Sequence, residues 1–174
     1  MSQVGQKIRT LRERLMTPER KGGALLVVYP PEEERDWQVA YTQVLQELAA
    51  HHVDTIVVDL RTLLFELLHS KGLLERAFRL DAGNSRDAQR NLADMVHREA
   101  VRRLREAATQ NPGAILCCRH TAALYPWISY SRVLEETESA IPNTLVIPFP
   151  GTAQGPALHF LDQKDGYNYR AARI

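Results

Sequence analysis

Three residues that could do chemistry together stand at the ends of apolar runs. Asp59 lies near the close of Asp54-Thr-Ile-Val-Val-Asp-Leu60, and Arg119-His120 follows Ala114-Ile-Leu-Cys-Cys118. A carboxylate beside an imidazole and a guanidinium is a hydrolytic or phosphate-binding trio. A structural role competes with that reading, because polar residues at strand ends cap helices and tie loops. Asp59 would then hold the backbone of the helix that starts at Arg61. Distance separates the two: side chains more than about 8 Å apart cannot share a substrate or one bridging water.

Other chemistries lack their residues. A phosphate-binding loop after the first apolar strand needs glycines and a Gly-Lys-Ser/Thr ending, whose backbone amides cradle phosphate. The loop here is Tyr29-Pro-Pro-Glu-Glu-Glu-Arg35, where prolines remove donors and glutamates repel phosphate. His51, His52, His69, His97, His120 and His159 make no paired ligand spacing, and Cys117-Cys118 sits inside an apolar run. No Gly-x-Ser-x-Gly elbow occurs. The expectation is therefore no cofactor, no metal and no catalytic signature beyond Asp59 and His120. Arg86, Arg90, Arg98, Arg102, Arg103 and Arg105 share a segment with Asp87, Asp94, Glu99 and Glu106, which reads as a solvated face rather than a nucleic-acid patch. Tyr125-Pro126-Trp127 is an aromatic turn, either core or an anchor at a protein interface.

The elements that must position these residues alternate. Val4, Ile8, Leu11 and Leu15 predict an amphipathic helix over about Gln3–Met16. Ala24–Tyr29, Asp54–Leu60, Ala114–Cys118 and Thr144–Phe149 are continuous apolar runs, the pattern of strands buried on both faces of a parallel sheet. Helices are expected from Glu32-Glu33-Glu34 to His51-His52, over Arg61–His69, over a short stretch at Leu73–Phe78, from an N-cap at Ser85 to about Ala108, and over Ser129–Ser139. Asp81–Asn84 and Asn111-Pro-Gly113 carry turn chemistry. The class is α/β: one domain over 1–174, with an open, mostly parallel sheet of five or six strands and helices on both faces. This is a degenerate P-loop or Rossmann-like arrangement. Residues 1–20 form its N-terminal helix. Residues 150–174 form a tail in which Ala157–Leu161 and the closing segment pair as an antiparallel hairpin at one edge.

Bulk composition agrees. The chain has 174 residues, 44% hydrophobic and 25% charged, enough to bury a core and too apolar for disorder. A net charge of +1 gives no global pull toward nucleic acid or membrane. Without an 18-residue apolar run or a signal pattern, a cytoplasmic protein is expected.

The tail is the most specific stretch. Pro150-Gly-Thr152 and Asp165-Gly-Tyr-Asn-Tyr-Arg-Ala-Ala-Arg-Ile174 resemble the ending of the BrxB family of bacterial BREX phage-defence systems. Leu124-Tyr-Pro-Trp-Ile128 is similar to that family's Val-Tyr-Pro-Phe-Leu turn, and Tyr29-Pro30, Asp59-Leu60 and Gly72-Leu-Leu-Glu75 to its N-terminal half. The resemblance covers about Leu25 to Ile174. Ala172 stands where the family has Phe, and Cys118-Arg-His-Thr121 replaces a Thr-Gly segment. The resemblance implies a cytosolic anti-phage component, not a free-standing enzyme, that binds a larger alkaline-phosphatase-like PglZ protein or other BREX subunits. Tyr125, Trp127, Tyr167, Tyr169, Arg170 and Arg173 are the interaction candidates. Two other readings stay open: a small hydrolase or nuclease using Asp59 and His120, and a nucleotide-binding relic that has lost its phosphate loop.

Overall fold

A computed structural model describes residues 2–17, 22–75, 86–161, 163–167 and 171–174. The expected loop at Asp81–Asn84, the Ser85 cap and residues 76–78 of the short helix expected at Leu73–Phe78 lie outside these. Helix α1 (Gln3–Met16) starts where Ser2 Oγ accepts the Gly5 N–H at 3.1 Å. Strand β1 (Gly23–Tyr29) follows, then a 3₁₀ turn at Pro31–Glu33 and α2 (Glu34–Ala50). Next come β2 (Thr55–Asp59), α3 (Leu63–Ser70), α4 (Arg86–Gln110) and β3 (Ile115–Arg119). A second 3₁₀ turn (Thr121–Leu124) leads to α5 (Tyr130–Thr137). The chain closes with β4 (Thr144–Gln154), β5 (Ala157–Phe160), β6 (Gln163–Tyr167) and β7 (Ala171–Arg173).

The sheet runs β2-β3-β4-β1-β7, every neighbour parallel. Strand residues alternate between two apolar clusters, which is why the strand sequences are apolar without a break. Val27, Tyr29, Ile115, Cys117 and Val146 pack under α1 and α2 with Leu11, Leu15, Trp37, Tyr41, Val44 and Leu48. Leu26, Val28, Val58, Leu116, Cys118, Leu145 and Ile147 pack under α3, α4 and α5 with Leu63, Leu67, Val96, Ala100, Leu104 and Val133. The expected α/β class, with helices on both faces, is what the chain adopts.

Two details differ from the sequence reading. Strand β4 runs past Phe149 to Gln154 because Pro150-Gly151 marks a change of partner rather than an end. Thr144–Pro150 ladders with β1, and Gly151–Gln154 pairs antiparallel with β5. A Cβ at Gly151 would lie 2.0 Å from the His159 carbonyl oxygen, so only glycine lets the two strands meet there. The antiparallel pairing expected of the tail is present, but β5 pairs with β6. The closing segment lies parallel to β1, Ala24–Leu26 opposite Ala171–Arg173, and makes a seventh strand. Ile174 extends that pairing, donating to the Leu26 carbonyl at 3.0 Å and accepting from the Val28 N–H at 3.2 Å. Sequence spacing alone favoured the nearer partner; backbone closure on β1 is a contact between chain ends that no local pattern records.

Candidate functional site

The parallel sheet brings its carboxyl ends to one edge, where open α/β sheets bind ligands. Asp59 and Arg119 are register partners at the ends of β2 and β3. Just past them His120 adopts a left-handed conformation (φ +54°), uncommon for a non-glycine residue. Its Nδ1 lies 3.0 Å from Asp59 Oδ1, well within the distance expected of a working pair. Asp59 also caps the chain ahead of α3: Oδ1 accepts the Arg61 N–H at 2.9 Å and Oδ2 the Arg61 guanidinium at 3.1 Å. The His120 contact and the capping role therefore coexist in one carboxylate. Burial works against ionisation of Asp59, but the Arg61 amide and the His120 ring outweigh it and hold the carboxyl below its ordinary value. The imidazole is 24% exposed and the carboxylate 38%. An oriented imidazole at a partly open edge can accept or deliver a proton.

Arg119 turns away from this pair. Its Nη2 donates to Thr42 Oγ1 at 2.9 Å and Gln38 Oε1 at 3.3 Å, and its Nε is buried without an acceptor. Gln38 in turn donates to Glu34 Oε1 at 2.9 Å, and the Tyr29 hydroxyl donates to Glu34 Oε2 at 2.5 Å. The chain of bonds ties β1, α2 and β3 together. Sequence reasoning missed Gln38 and Thr42; the only signal was their i, i+4 spacing on the helix that crosses this strand end. On β2, Val57 is 47% exposed.

The position of a phosphate loop is filled otherwise. After β1, Pro30 leads into the Pro31–Glu33 turn, and Glu33 Oε2 accepts the Val4 N–H of α1 at 3.2 Å. Burial pushes the Cys117 thiol up to about 11 and Cys118 higher still, which suits packing and not nucleophilic attack. Among the described residues, no cluster of three or more His, Cys, Asp or Glu could hold a metal ion. None of the described helices is long and apolar enough to cross a membrane.

A second feature lies at the aromatic turn, which contains a cis Tyr125–Pro126 bond. Tyr125 and Trp127 are half-buried against the larger core cluster, Tyr125 tilted 6.1 Å from Phe160. Trp127, Pro126, Ile128, His97, Arg132 and Lys164 border a cleft of about 230 Å³ between α4, the turn and β6. Beneath it, His97 Nε2 meets Glu136 Oε1 at 2.8 Å. Asp165 joins the tail to the turn: its carboxylate accepts the Tyr130 N–H at 3.1 Å, the Ser131 N–H at 2.8 Å and the Ser131 hydroxyl at 2.7 Å. Gly166 (φ +140°) brings β6 so near that a Cβ would lie 3.2 Å from Ser131. Arg173 is exposed and donates to the Gly155 carbonyl at 2.6 Å. Tyr167 contributes its backbone to β6, while Tyr169 and Arg170 lie outside the described residues.

This molecule matches the family model of the BREX protein BrxB over residues 56–174. The chain belongs to the BrxB family. The match runs from β2 to the last residue, so it takes in Asp59, His120, the aromatic turn and the tail; the resemblance read from Leu25 onward is matched from Ile56. Membership makes the chain a component of BREX phage defence. No curated protein and no solved structure matches it. Two of the six arginines of α4 in this BrxB-family chain are paired with carboxylates among the described residues. Arg102 bonds Glu99 at 2.8 Å and Glu106 at 2.7 Å, and Arg103 meets Glu66 and Glu99.

Proposed function

We propose that this chain is a non-catalytic accessory subunit of a cytoplasmic BREX assembly, and that it binds a larger, PglZ-like protein of alkaline-phosphatase type. The observation that carries the reading is the half-buried Trp127 at the mouth of a side-chain-sized cleft. A partly buried aromatic beside a small cleft is a usual form of an interface anchor. Co-purification from cells carrying the whole system tests it. The tagged chain brings down the PglZ-like protein, and Trp127→Ala lowers that recovery at least about tenfold, the scale of a hot-spot loss. Recovery of the tagged chain alone, with the partner expressed and folded, overturns the reading.

A second reading is favoured by the 3.0 Å contact between Asp59 and His120: a small hydrolase in which His120 takes a proton from water. Hydrolysis of bis(p-nitrophenyl) phosphate by the purified chain, lost in Asp59→Asn and His120→Asn, supports it. Equal rates in all three proteins remove it.

A further inference from the structure

We propose that the cleft between α4, the aromatic turn and β6 receives a tyrosine side chain of the partner protein, with its hydroxyl on His97 Nδ1. The inference rests on the reading of Trp127 as an interface residue and names what the partner brings to it. The cleft holds about 230 Å³ and passes from open to enclosed. Pro126, Gln163 and Lys164 on its border are exposed, whereas His97, Ile128 and Phe160 are 2%, 7% and 2% exposed. Of those three enclosed residues, His97 alone carries a polar side chain. That side chain is half satisfied: Nε2 meets Glu136 Oε1 at 2.8 Å, and Nδ1 is buried without a partner among the described residues. The bond from His97 holds the Glu136 carboxyl below its ordinary value, so the carboxylate accepts and Nε2 carries the proton. His97 borders this cleft and Glu136 does not, which leaves Nδ1 as the polar atom the ring can offer an occupant. A buried nitrogen without a bond costs free energy that an occupant's hydrogen bond recovers.

Charge narrows the occupant. The charged groups on the border are Arg132, Lys164 and Asp165, and Arg132 pairs with Asp94 at 3.0 Å. With Asp94 counted, two positive groups stand against two negative ones, so an ion of neither sign is favoured. A neutral side chain with an apolar body and a polar tip fits such a site. The hydroxyl of tyrosine lies at the far end of its ring, where end-on entry brings it to the enclosed end of the cleft. It can donate to a bare Nδ1 or accept from a protonated one, whereas an indole N–H only donates and a carboxylate only accepts. Tyrosine is also enriched among the residues that dominate binding energy at interfaces.

The test is a titration of the ¹⁵N-labelled full chain with p-cresol, the side chain of tyrosine, followed by NMR at the His97 ring nitrogens and the Trp127 indole N–H. Parallel arms use toluene, 3-methylindole and propionate, the side chains of phenylalanine, tryptophan and glutamate. p-Cresol should shift both residues saturably and bind at least about tenfold more tightly than toluene, which leaves Nδ1 unbonded. In His97→Phe, which keeps a ring and removes the nitrogen, that preference should vanish while toluene binds as before. Trp127→Ala should weaken both ligands. Linear, non-saturating shifts, equal affinities for p-cresol and toluene, or a preference that survives His97→Phe overturn the proposal. Tighter binding of 3-methylindole or propionate than of p-cresol also overturns it. Should His97→Phe fail to fold, the p-cresol-to-toluene ratio of the native chain and the shift of Nδ1 decide. No partner protein enters these titrations, so a failure to recover the PglZ-like protein and a failure of the tyrosine site are read separately.

Discussion

Replacing Asp165 by Ala should loosen the joint between the tail and the aromatic turn. The carboxylate satisfies two first-turn amides of α5 and the Ser131 hydroxyl, while Ser129 Oγ takes the Arg132 N–H at 3.3 Å. A helix start leaves its first amides without internal partners, so Ala strips the cap from Tyr130 and Ser131. Hydrogen bonds to a charged acceptor are worth about 1.5–3 kcal/mol each, but water can replace part of that at a half-buried helix end. A net loss of about 3 kcal/mol follows for Asp165→Ala, and about half that for Asp165→Asn, which keeps one acceptor oxygen. For a chain of this size the Ala variant should melt about 6–12 °C lower. Urea unfolding followed by circular dichroism gives the free energies. Ser131→Ala should cost less than Asp165→Ala, and should cost almost nothing further in the Asp165→Ala background, because the shared bond is already gone. A loss below about 0.5 kcal/mol for Asp165→Ala, the range of an unremarkable surface change, would refute the cap.

Two further perturbations read other parts of the fold. Arg102, with Arg103 behind it and against the cost of burial, holds the Glu99 carboxyl down to about 2, from an ordinary 4.5. A depressed folded-state value means that the stabilisation is present above pH 4.5 and is lost as pH falls toward 2. With Arg102 58% exposed, screening leaves about 1 kcal/mol, so native and Glu99→Gln stabilities should converge across that range; a gap unchanged with pH refutes the pairing. Gly151→Ala places a methyl 2.0 Å from the His159 carbonyl oxygen and 2.9 Å from Phe149, inside a paired ladder. A loss of at least about 3 kcal/mol is expected in chemical denaturation, the upper part of the overpacking range. An unchanged midpoint would show that β4 and β5 can separate freely there.

What was legible in the sequence follows from how far each contact reaches. Leu26 to Tyr29 and Ile115 to Cys118 announce buried parallel strands because both faces of each are covered, and both faces are apolar. Ile174 beside Leu26 could not be read, since nothing local to either residue encodes a pairing across the whole chain. The same division runs through the site. Asp59 and His120 were legible because strand ends of a parallel sheet converge, and the 3.0 Å contact is that convergence. The turn of Arg119 toward α2 was not legible: Gln38 and Thr42 are polar helix residues that look like solvent face until a guanidinium is laid on them from 81 and 77 residues away. Pro150-Gly151 misled because a strand that changes partner carries the same residues as a strand that stops.

The tail and the aromatic turn form one mechanical unit, and that changes how a binding experiment on this chain must be interpreted. Asp165 and Gly166 hold β6 against the start of α5, and the turn carrying Trp127 leads directly into that start. A tail substitution that abolishes partner recovery is therefore ambiguous, since it can act by moving Trp127 without the tail touching anything. Temperature separates the two routes. If Asp165 acts only through the turn, Asp165→Ala loses the proposed PglZ-like partner in step with its own unfolding, and recovers it on cooling well below its melting temperature. Trp127→Ala removes the anchor itself, so its binding defect should persist at every temperature at which the variant is folded. Parallel pull-downs at low and physiological temperature, set beside the melting curves, make the comparison. A loss in Asp165→Ala that survives cooling, in a chain shown to be folded, would place the tail in the interface and overturn the reading of Asp165 as a fold-holding residue alone.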